Sequence, residues 1–262
     1  MSDEAPGLFG VAEPLAARMR PRRLEEVAGQ SHLLAPGKSL GDAIRRGDLG
    51  SVIFWGPPGS GKTTLARLVA QYTDRHFTAF SAVTDGVARV REIIKEAEER
   101  RRHGRGTVLF CDEIHRFNRA QQDAFLPHVE RGVITLIGAT TENPSFALNG
   151  ALLSRSRVYV LEPLTAADLR PLLDLALSDR DRGLGAAGVS AEPGALELLA
   201  EQAQGDARRA LTVLEAAVAQ AGEGGNITEP LIQDVLARRL PLHDRAGESH
   251  FNLLSAFHKS LR

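Results

Sequence analysis

The sequence predicts an α/β protein: a five-stranded parallel sheet flanked by helices, followed by a small all-α helical lid. Short apolar runs alternate with helical periodicity up to residue 163, and only helical periodicity follows. The predicted strands are Ser51–Trp55, His76–Phe80, Val108–Cys111, Val133–Gly138 and Val158–Leu161. The predicted helices are Lys62–Thr73, Val87–His103, Ala120–Glu130, 165–177, 193–203, 206–221 and 229–236. Ligands of such sheets bind at the carboxyl ends of the strands.

The chain divides into four predicted segments. Residues 1–13 are small, acidic and rich in glycine and proline, which indicates a flexible arm. Residues 14–163 form the predicted α/β core, and residues 164–240 form the predicted helical lid. Residues 241–262 are expected to begin a further helical domain, because a helix predicted from residue 248 reaches the last residue without a C-cap.

The bulk composition is that of an ordinary globular protein. The net charge is −1, so any contact with nucleic acid requires a local basic patch. The single cysteine, Cys111, excludes an intrachain disulfide and is expected as a buried small apolar residue. The sequence shows no signal peptide and no apolar run of the ~18 residues that span a bilayer. We therefore predict a cytoplasmic protein without a membrane partner.

A glycine-rich motif follows the first predicted strand. Residues 56–63 fit the phosphate-loop pattern G-x-x-x-x-G-K-[ST]. Glycines let backbone N–H groups turn toward phosphates, the Lys62 ammonium reaches the β- and γ-phosphates, and the Thr63 hydroxyl binds Mg²⁺. The predicted nucleotide ligands are Gly56, Pro57, Pro58, Gly59, Ser60, Gly61, Lys62, Thr63 and Thr64. A plain turn that caps a helix is the alternative, but the strand before it and the helix after it favour ATP with Mg²⁺.

Two carboxylates end the third predicted strand. Asp112 is the candidate Mg²⁺ ligand, together with Thr63. Glu113 is the candidate general base, because a carboxylate beside the metal ligand can orient and deprotonate the attacking water. His115 is expected as an ordinary loop or helix-cap histidine. The pair and the phosphate loop together predict a P-loop nucleoside triphosphatase.

Five segments resemble one known family. They are Pro14–Pro21, Gly29–Leu34, Asp112–Asn118, Gln121–Pro127 and Ile137–Phe146. The resemblance is to the bacterial replication-associated recombination protein A family, whose eukaryotic relative is the Werner-helicase-interacting protein. It implies an AAA+ ATPase of the clamp-loader branch. Members of that family continue past residue 262 into a helical domain that forms tetramers, which indicates that this chain is C-terminally truncated.

The resemblance also implies roles for further residues. Thr141 corresponds to the sensor-1 polar group near the γ-phosphate, with Thr140 as the alternative. Arg155 corresponds to an arginine finger that reaches the ATP of a neighbouring subunit, with Arg157 as the alternative. Arg208 corresponds to the sensor-2 arginine of the lid. The adenine pocket would be lined by the stretches Ala16–Met19 and Val27–Gln30, in particular by Ala16, Arg18, Met19 and Val27.

The implied function is ATP hydrolysis on DNA during replication-fork maintenance, recombination and repair. The expected DNA is single-stranded or junction DNA, bound without sequence specificity, and the expected location is the nucleoid in the cytoplasm. Expected partners are single-strand-binding protein and further copies of the chain, although this truncated chain could also be monomeric. Alternatives are a clamp-loader subunit, a small-molecule kinase, and a non-catalytic ATP-binding scaffold that recruits replication factors.

Three basic clusters are candidates for contacts with DNA phosphates. They are Arg18/Arg20/Arg22/Arg23, Arg45/Arg46, and Arg100/Arg101/Arg102/His103/Arg105. Solvated helix ends are the stronger interpretation of such runs, because cations suit the C-terminal end of a helix dipole.

Overall fold

The structure, a computed structural model, describes residues 13–239. Residues 1–12 of the predicted arm and the predicted start of a further domain at 241–262 lie outside the described residues. The described chain forms two compact units, which are treated separately below. The sheet unit comprises residues 20–168 and 204–207, and the helical unit comprises residues 13–19, 169–203 and 208–239.

The sheet unit contains one five-stranded sheet in which every pairing is parallel, as predicted. Its strands are β1 (Val52–Trp55), β2 (His76–Ser81), β3 (Thr107–Asp112), β4 (Thr135–Thr140) and β5 (Arg157–Val160). The spatial order is β2-β3-β4-β1-β5. The fourth strand begins two residues later than the sequence predicts, because Val133 and Ile134 close the preceding turn by donating to the carbonyl of His128.

The register of the sheet brings three chain segments to one edge. Trp55 at the end of β1 is opposite Thr140 at the end of β4, and Cys111 near the end of β3 is opposite Gly138. The chain therefore leaves β1, β4 and β3 at the same edge, with β4 in the middle. Neighbouring strands lie about 4.8 Å apart, so the ends of β1 and β3 are separated by roughly 10 Å.

Alternate strand residues build the core on both faces of this sheet, as expected for a parallel sheet covered by helices. Val52 and Phe54 belong to one buried cluster, which α4 (Lys62–Tyr72) covers. Ile53 belongs to the opposite cluster, which α5 (Val87–Arg102) covers. The central strands β1, β3 and β4 are thereby covered on both faces, whereas the edge strand β5 leaves Val158 and Val160 exposed.

Short helices complete the sheet unit. They are α2 (Ser31–Leu34), α3 (Ser39–Arg45), α6 (Arg119–Asp123), α7 (Leu126–Glu130), α8 (Pro144–Ala147) and α9 (Gly150–Leu153), with 3-10 turns at Leu24–Glu26 and Ile114–Arg116. The single helix predicted over Ala120–Glu130 is wrong, because α6 and α7 are separate. Pro127 lacks the N–H that would continue the helical hydrogen bonds from α6.

The helical unit contains α1 (Leu15–Arg18), α11 (Pro193–Gln202) and α13 (Glu229–Arg239), with most of α10 (Ala166–Ser178) and α12 (Ala207–Ala221). A 3-10 turn covers Gly185–Ala187. The expectation of helices alone after residue 163 is wrong. Two short parallel strands, β6 (Ser190–Ala191) and β7 (Asn226–Ile227), pair in this unit because each flanks a glycine turn.

Among residues 13–239, no helix combines the length and apolar character needed to cross a bilayer.

Three aromatic rings form the centre of the core beneath α6 and α7. The Phe125 ring lies 6.0 Å from the rings of Phe80 and Phe117 and is fully buried. We expect Phe125→Ala to lower the free energy of unfolding by about 3–5 kcal/mol, because it removes these contacts and leaves a cavity. Urea denaturation measures this change. The matched control is Phe146→Ala, at a ring that is 91% exposed, where we expect a change within about 0.5 kcal/mol. Equal losses in the two variants would contradict the assignment of the core.

Candidate functional site

The phosphate loop joins β1 to α4, as the sequence predicts. Gly61 is the N-cap of α4 at φ 102°, a backbone conformation that favours glycine. The first-turn N–H groups of a helix have no acceptor within the helix, and the positive end of the helix dipole lies there. The Lys62 side chain is 8% exposed and donates from Nζ to the carbonyls of Gly56 (2.7 Å) and Pro57 (2.8 Å). The loop thus holds its ammonium group at the helix N-terminus.

Gly59 allows a close approach that no other residue type could make. It has φ 68°, and a Cβ at this position would overlap the side chain and backbone of Asp206. The Ala207 N–H also donates to the Gly59 carbonyl at 3.4 Å. The Gly205-Asp206-Ala207 segment therefore packs directly on the phosphate loop, a contact of Asp206 that the sequence analysis did not predict.

A buried amide supports the loop from another side. Gln30 lies in the left-handed region at φ 57°, and only 5% of it is exposed. Its Nε2 donates to the carbonyls of Glu162 (2.7 Å) and Ser60 (3.4 Å), and its Oε1 accepts from the Glu162 N–H. Gln30 thus links the phosphate loop to the segment after β5, a contact that the sequence did not predict for this residue.

The two predicted acidic residues lie at the carboxyl end of β3, separated from β1 only by β4. Asp112 is the last residue of β3, and Glu113 follows in the left-handed conformation at φ 52°, ψ 44°. A non-glycine residue in this region costs on the order of 1 kcal/mol or more, and such strain concentrates at functional sites. The turn directs the Glu113 side chain toward the end of β4.

His115 is more closely tied to the site than expected. Its side chain is only 4% exposed, and its Nδ1 lies 3.2 Å from Glu113 Oε2 and 3.0 Å from Thr140 Oγ1. Its Nε2 lies 3.4 Å from Glu142 Oε1. The expectation of an ordinary loop histidine is therefore wrong. Its position two residues after the candidate base is the one sequence signal that could have found it.

The end of β4 offers the two threonines that the sequence left as alternatives. Thr140 is fully buried, and its hydroxyl accepts from the Glu142 N–H. Thr141 is exposed, and its hydroxyl donates to Glu113 Oε2 at 3.4 Å. Thr141 is therefore the threonine that can reach both the base and a bound ligand, which favours it for the sensor-1 role.

Arg155, the candidate finger, follows α9 at a half-exposed position. Its Nε donates to Glu130 Oε1 at 2.6 Å, and its Nη1 donates to the Ala151 carbonyl and to Ser154 Oγ at 3.0 Å. These contacts hold the arginine within its own chain. Arg157, the alternative, is the exposed first residue of β5.

The remaining predicted site residues fall in different units. Val27 belongs to the sheet unit, whereas Ala16, Arg18, Met19 and Arg208 belong to the helical unit. Arg18 donates to the Gly183 carbonyl at 3.1 Å and pairs with Glu215 at 3.5 Å. The adenine pocket and the sensor-2 role of Arg208 stay predictions.

Carboxylates of the same chain pair with many cations of the predicted basic clusters. Arg23 contacts Glu26, Arg45 contacts Asp42, and Arg100 contacts Glu96. Arg102 and His103 both contact Glu99. These pairs fit the interpretation of solvated helix ends, and DNA contact by these clusters stays a prediction.

Cys111 is fully buried in β3, as expected. Burial, with a smaller effect from the neighbouring Asp112 carboxylate, raises the pKa of its thiol well above the ordinary value. The thiol therefore stays protonated and packs as a small apolar group.

The residues present fit a magnesium–nucleotide complex. The ammonium of Lys62 and the N-terminus of α4 suit phosphate oxygens, and Gly61 opens onto free space, since a Cβ there would contact nothing within 4 Å. A threonine hydroxyl at Thr63 and a carboxylate at Asp112 are the oxygen donors that Mg²⁺ takes in such sites.

Two family models match the chain. Residues 52–164 match "ATPase family associated with various cellular activities (AAA)", and residues 185–262 match "AAA C-terminal domain". Among solved structures, the Thermotoga maritima RuvB Holliday junction branch migration motor is similar with a TM-score of 0.66 and 28% identity. That likeness covers 84% of this chain and 72% of RuvB.

Three curated relatives match 95% of this chain. Replication-associated recombination protein A is 51% identical in Haemophilus influenzae and 50% identical in Escherichia coli K12. ATPase WRNIP1 of Dictyostelium discoideum is 40% identical. The matched regions are 56%, 57% and 30% of these relatives, so the chain spans about half the length of the bacterial proteins. With its parallel sheet and phosphate loop, the chain belongs to the AAA ATPases and, among them, to the replication-associated recombination protein A family.

Proposed function

We propose that this protein binds ATP with Mg²⁺ and hydrolyses it, and that it does so on DNA during replication, recombination and repair. One observation carries the first part of the proposal. The phosphate loop after β1, the acidic pair after β3 and Thr141 after β4 all lie at one edge of the sheet, on adjacent strands. This arrangement suits a triphosphate between the loop and the base.

In the proposed reaction, the N-terminus of α4 and Lys62 bind the β- and γ-phosphates and offset their charge. Thr63 and Asp112 would hold the magnesium ion, which would neutralise part of the phosphate charge when bound. Glu113 orients a water molecule in line with the γ-phosphate and accepts its proton, while Thr141 donates to Glu113 or to the γ-phosphate. The products are ADP and inorganic phosphate.

Arginines complete the site in this proposal. Arg155 of a neighbouring subunit stabilises the charge that spreads over the γ-phosphoryl oxygens, and Arg208 contacts the γ-phosphate of its own subunit. Arg155 pairs with Glu130 of its own chain, so the proposed role requires that this contact opens when a neighbouring subunit binds. Hydrolysis then depends on assembly, so the active form is proposed to be a homo-oligomer, a tetramer in the full-length protein.

The proposed DNA is single-stranded or junction DNA, bound through phosphates without sequence specificity. The names of the relatives support this choice, since two are replication-associated recombination proteins and RuvB is a branch migration motor. Single-strand-binding protein is the proposed protein partner, and the nucleoid in the cytoplasm is the proposed location. A clamp-loader subunit and a non-catalytic scaffold are the competing functions.

We expect ATP turnover to rise in the presence of single-stranded or junction DNA and to fall again as salt screens the phosphate contacts. The experiment compares phosphate release without DNA and with single-stranded, duplex and junction DNA, each DNA supplied at the same concentration of DNA nucleotides. The Glu113→Gln variant under each condition is the control for contaminating ATPases. Turnover that no DNA stimulates would contradict the DNA-dependent part of the proposal. Absence of turnover altogether would favour the scaffold.

A further inference from the structure

The side chain of His115, two residues after Glu113, is buried and has a side-chain oxygen atom near each of its ring nitrogens. His115 lies in the 3-10 turn Ile114–Arg116, which follows directly from the strained conformation of Glu113. Its imidazole contacts Glu113 and Thr140 through Nδ1 and Glu142 through Nε2. A side chain this deeply buried, with oxygen atoms at both nitrogens, has a fixed orientation.

The hydrogen bonds around Thr140 determine the role of Nδ1 of His115. The Thr140 hydroxyl donates to the Glu142 carbonyl at 3.2 Å and accepts from the Glu142 N–H at 3.0 Å. Its one proton is therefore engaged, so toward His115 it can only accept. The carboxylate of Glu113 is likewise an acceptor. Toward these two oxygens, Nδ1 of His115 can therefore act only as the donor.

Both contacts of Glu113 use the same carboxylate oxygen. Oε2 lies 3.2 Å from His115 Nδ1 and 3.4 Å from Thr141 Oγ1, which donates to it. Oε1 is therefore the oxygen that we assign to the proton of the attacking water. A carboxylate fixed through one oxygen keeps the other in a constant direction, which a general base requires.

We propose that His115 is a positioning residue, which fixes the carboxylate of Glu113 and connects it to Thr140 and Glu142 at the end of β4. This inference rests on the proposed function, in which Glu113 is the base. The His115 imidazole thereby connects Glu113, which activates water, to the end of β4, where Thr141 is the candidate sensor. A ligand that shifts the end of β4 would thereby also shift the base.

Two substitutions separate positioning from the filling of space. His115→Phe fills the volume but has no donor, whereas His115→Asn keeps an amide donor near the place of Nδ1. We expect His115→Phe to lower kcat about tenfold or more, a part of the 10²–10⁴-fold that a general base contributes. We expect the Kd and KM for ATP to stay within about twofold, since His115 supports the base and not the phosphates. His115→Asn is expected to recover most of kcat.

The control is His128→Ala, a partly exposed histidine of α7 outside the proposed site, which is expected to keep the parent kcat. In the Glu113→Gln background, His115→Phe is expected to cause no further loss, because no base is left to position. An unchanged kcat in His115→Phe, or a further loss in the Glu113→Gln background, would overturn the inference while the proposed function stands. A parent protein without turnover would overturn both.

Discussion

Glu113→Gln is expected to abolish ATP hydrolysis while leaving ATP binding intact. The amide keeps the size of the carboxylate and can still contact His115 and Thr141, but it cannot accept the proton of the attacking water. Removal of a general base costs about 10²–10⁴-fold in rate, so we expect kcat to fall at least ~100-fold. The phosphate loop is unaltered, so the Kd for ATP should stay within about threefold.

Phosphate release and titration of a fluorescent ATP analogue measure the two quantities on the same preparation. The control is Glu99→Gln, the same chemical change at an exposed residue of α5, and we expect parent-like turnover. Hydrolysis that survives in Glu113→Gln would show that another group accepts the proton. The assignment of the base, and with it the positioning role of His115, would then be wrong.

The same variant also tests the trans role of Arg155. A Glu113→Gln subunit retains its arginine, whereas an Arg155→Ala subunit retains its base. If Arg155 acts on a neighbour's ATP, a mixture of these two chains should be more active than either one alone, since mixed assemblies contain complete sites. Mixtures no more active than the sum of their parts would argue against a finger in trans.

Lys62→Ala is the second change with a large expected effect, in this case on binding. The ammonium lies buried at the N-terminus of α4, 2.7 Å from the carbonyl of Gly56. In the proposed complex the Lys62 ammonium pairs with phosphate oxygens of ATP. Removing one partner of such a buried, hydrogen-bonded charge pair costs about 2–5 kcal/mol. We therefore expect the Kd for ATP to rise at least ~30-fold, with hydrolysis lost at ordinary ATP concentrations.

Titration with the fluorescent analogue measures this loss, and circular dichroism checks that the variant stays folded. Lys38→Ala is the matched control, because it removes the same charge from an exposed position before α3. A Kd for ATP that changes equally in both variants would mean that Lys62 acts only through net charge. The proposal that the phosphate loop binds ATP would then be wrong.

The linear sequence predicted well those features that depend on local patterns. The phosphate loop was predictable because its chemistry requires glycine, lysine and threonine at fixed spacing within one turn. The acidic pair was predictable because it ends an apolar strand. The break between α6 and α7 was also visible in principle, since Pro127 cannot continue a helix, but the apolar spacing over Ala120–Glu130 favoured one helix.

Contacts distant in the sequence were not predictable in this way. Gln30 supports Ser60 and Glu162 across 30 and 132 residues, and Asp206 lies against Gly59 although residues of both units separate them in the chain. Neither contact follows from the residues that neighbour it in the sequence. Both depend on how loops at one edge of the sheet meet, which the sequence of each loop does not specify.

Periodicity and spacing are local properties, so they were sufficient to predict the five parallel strands, the nucleotide loop and the carboxylates of Asp112 and Glu113. The left-handed conformation of Glu113 and its contact with the buried His115 side chain depend on the folded chain. Both follow from the strand order. With β4 between β1 and β3, the residues after β3 turn toward Thr140 and Thr141, and that neighbourhood exists only in the folded sheet.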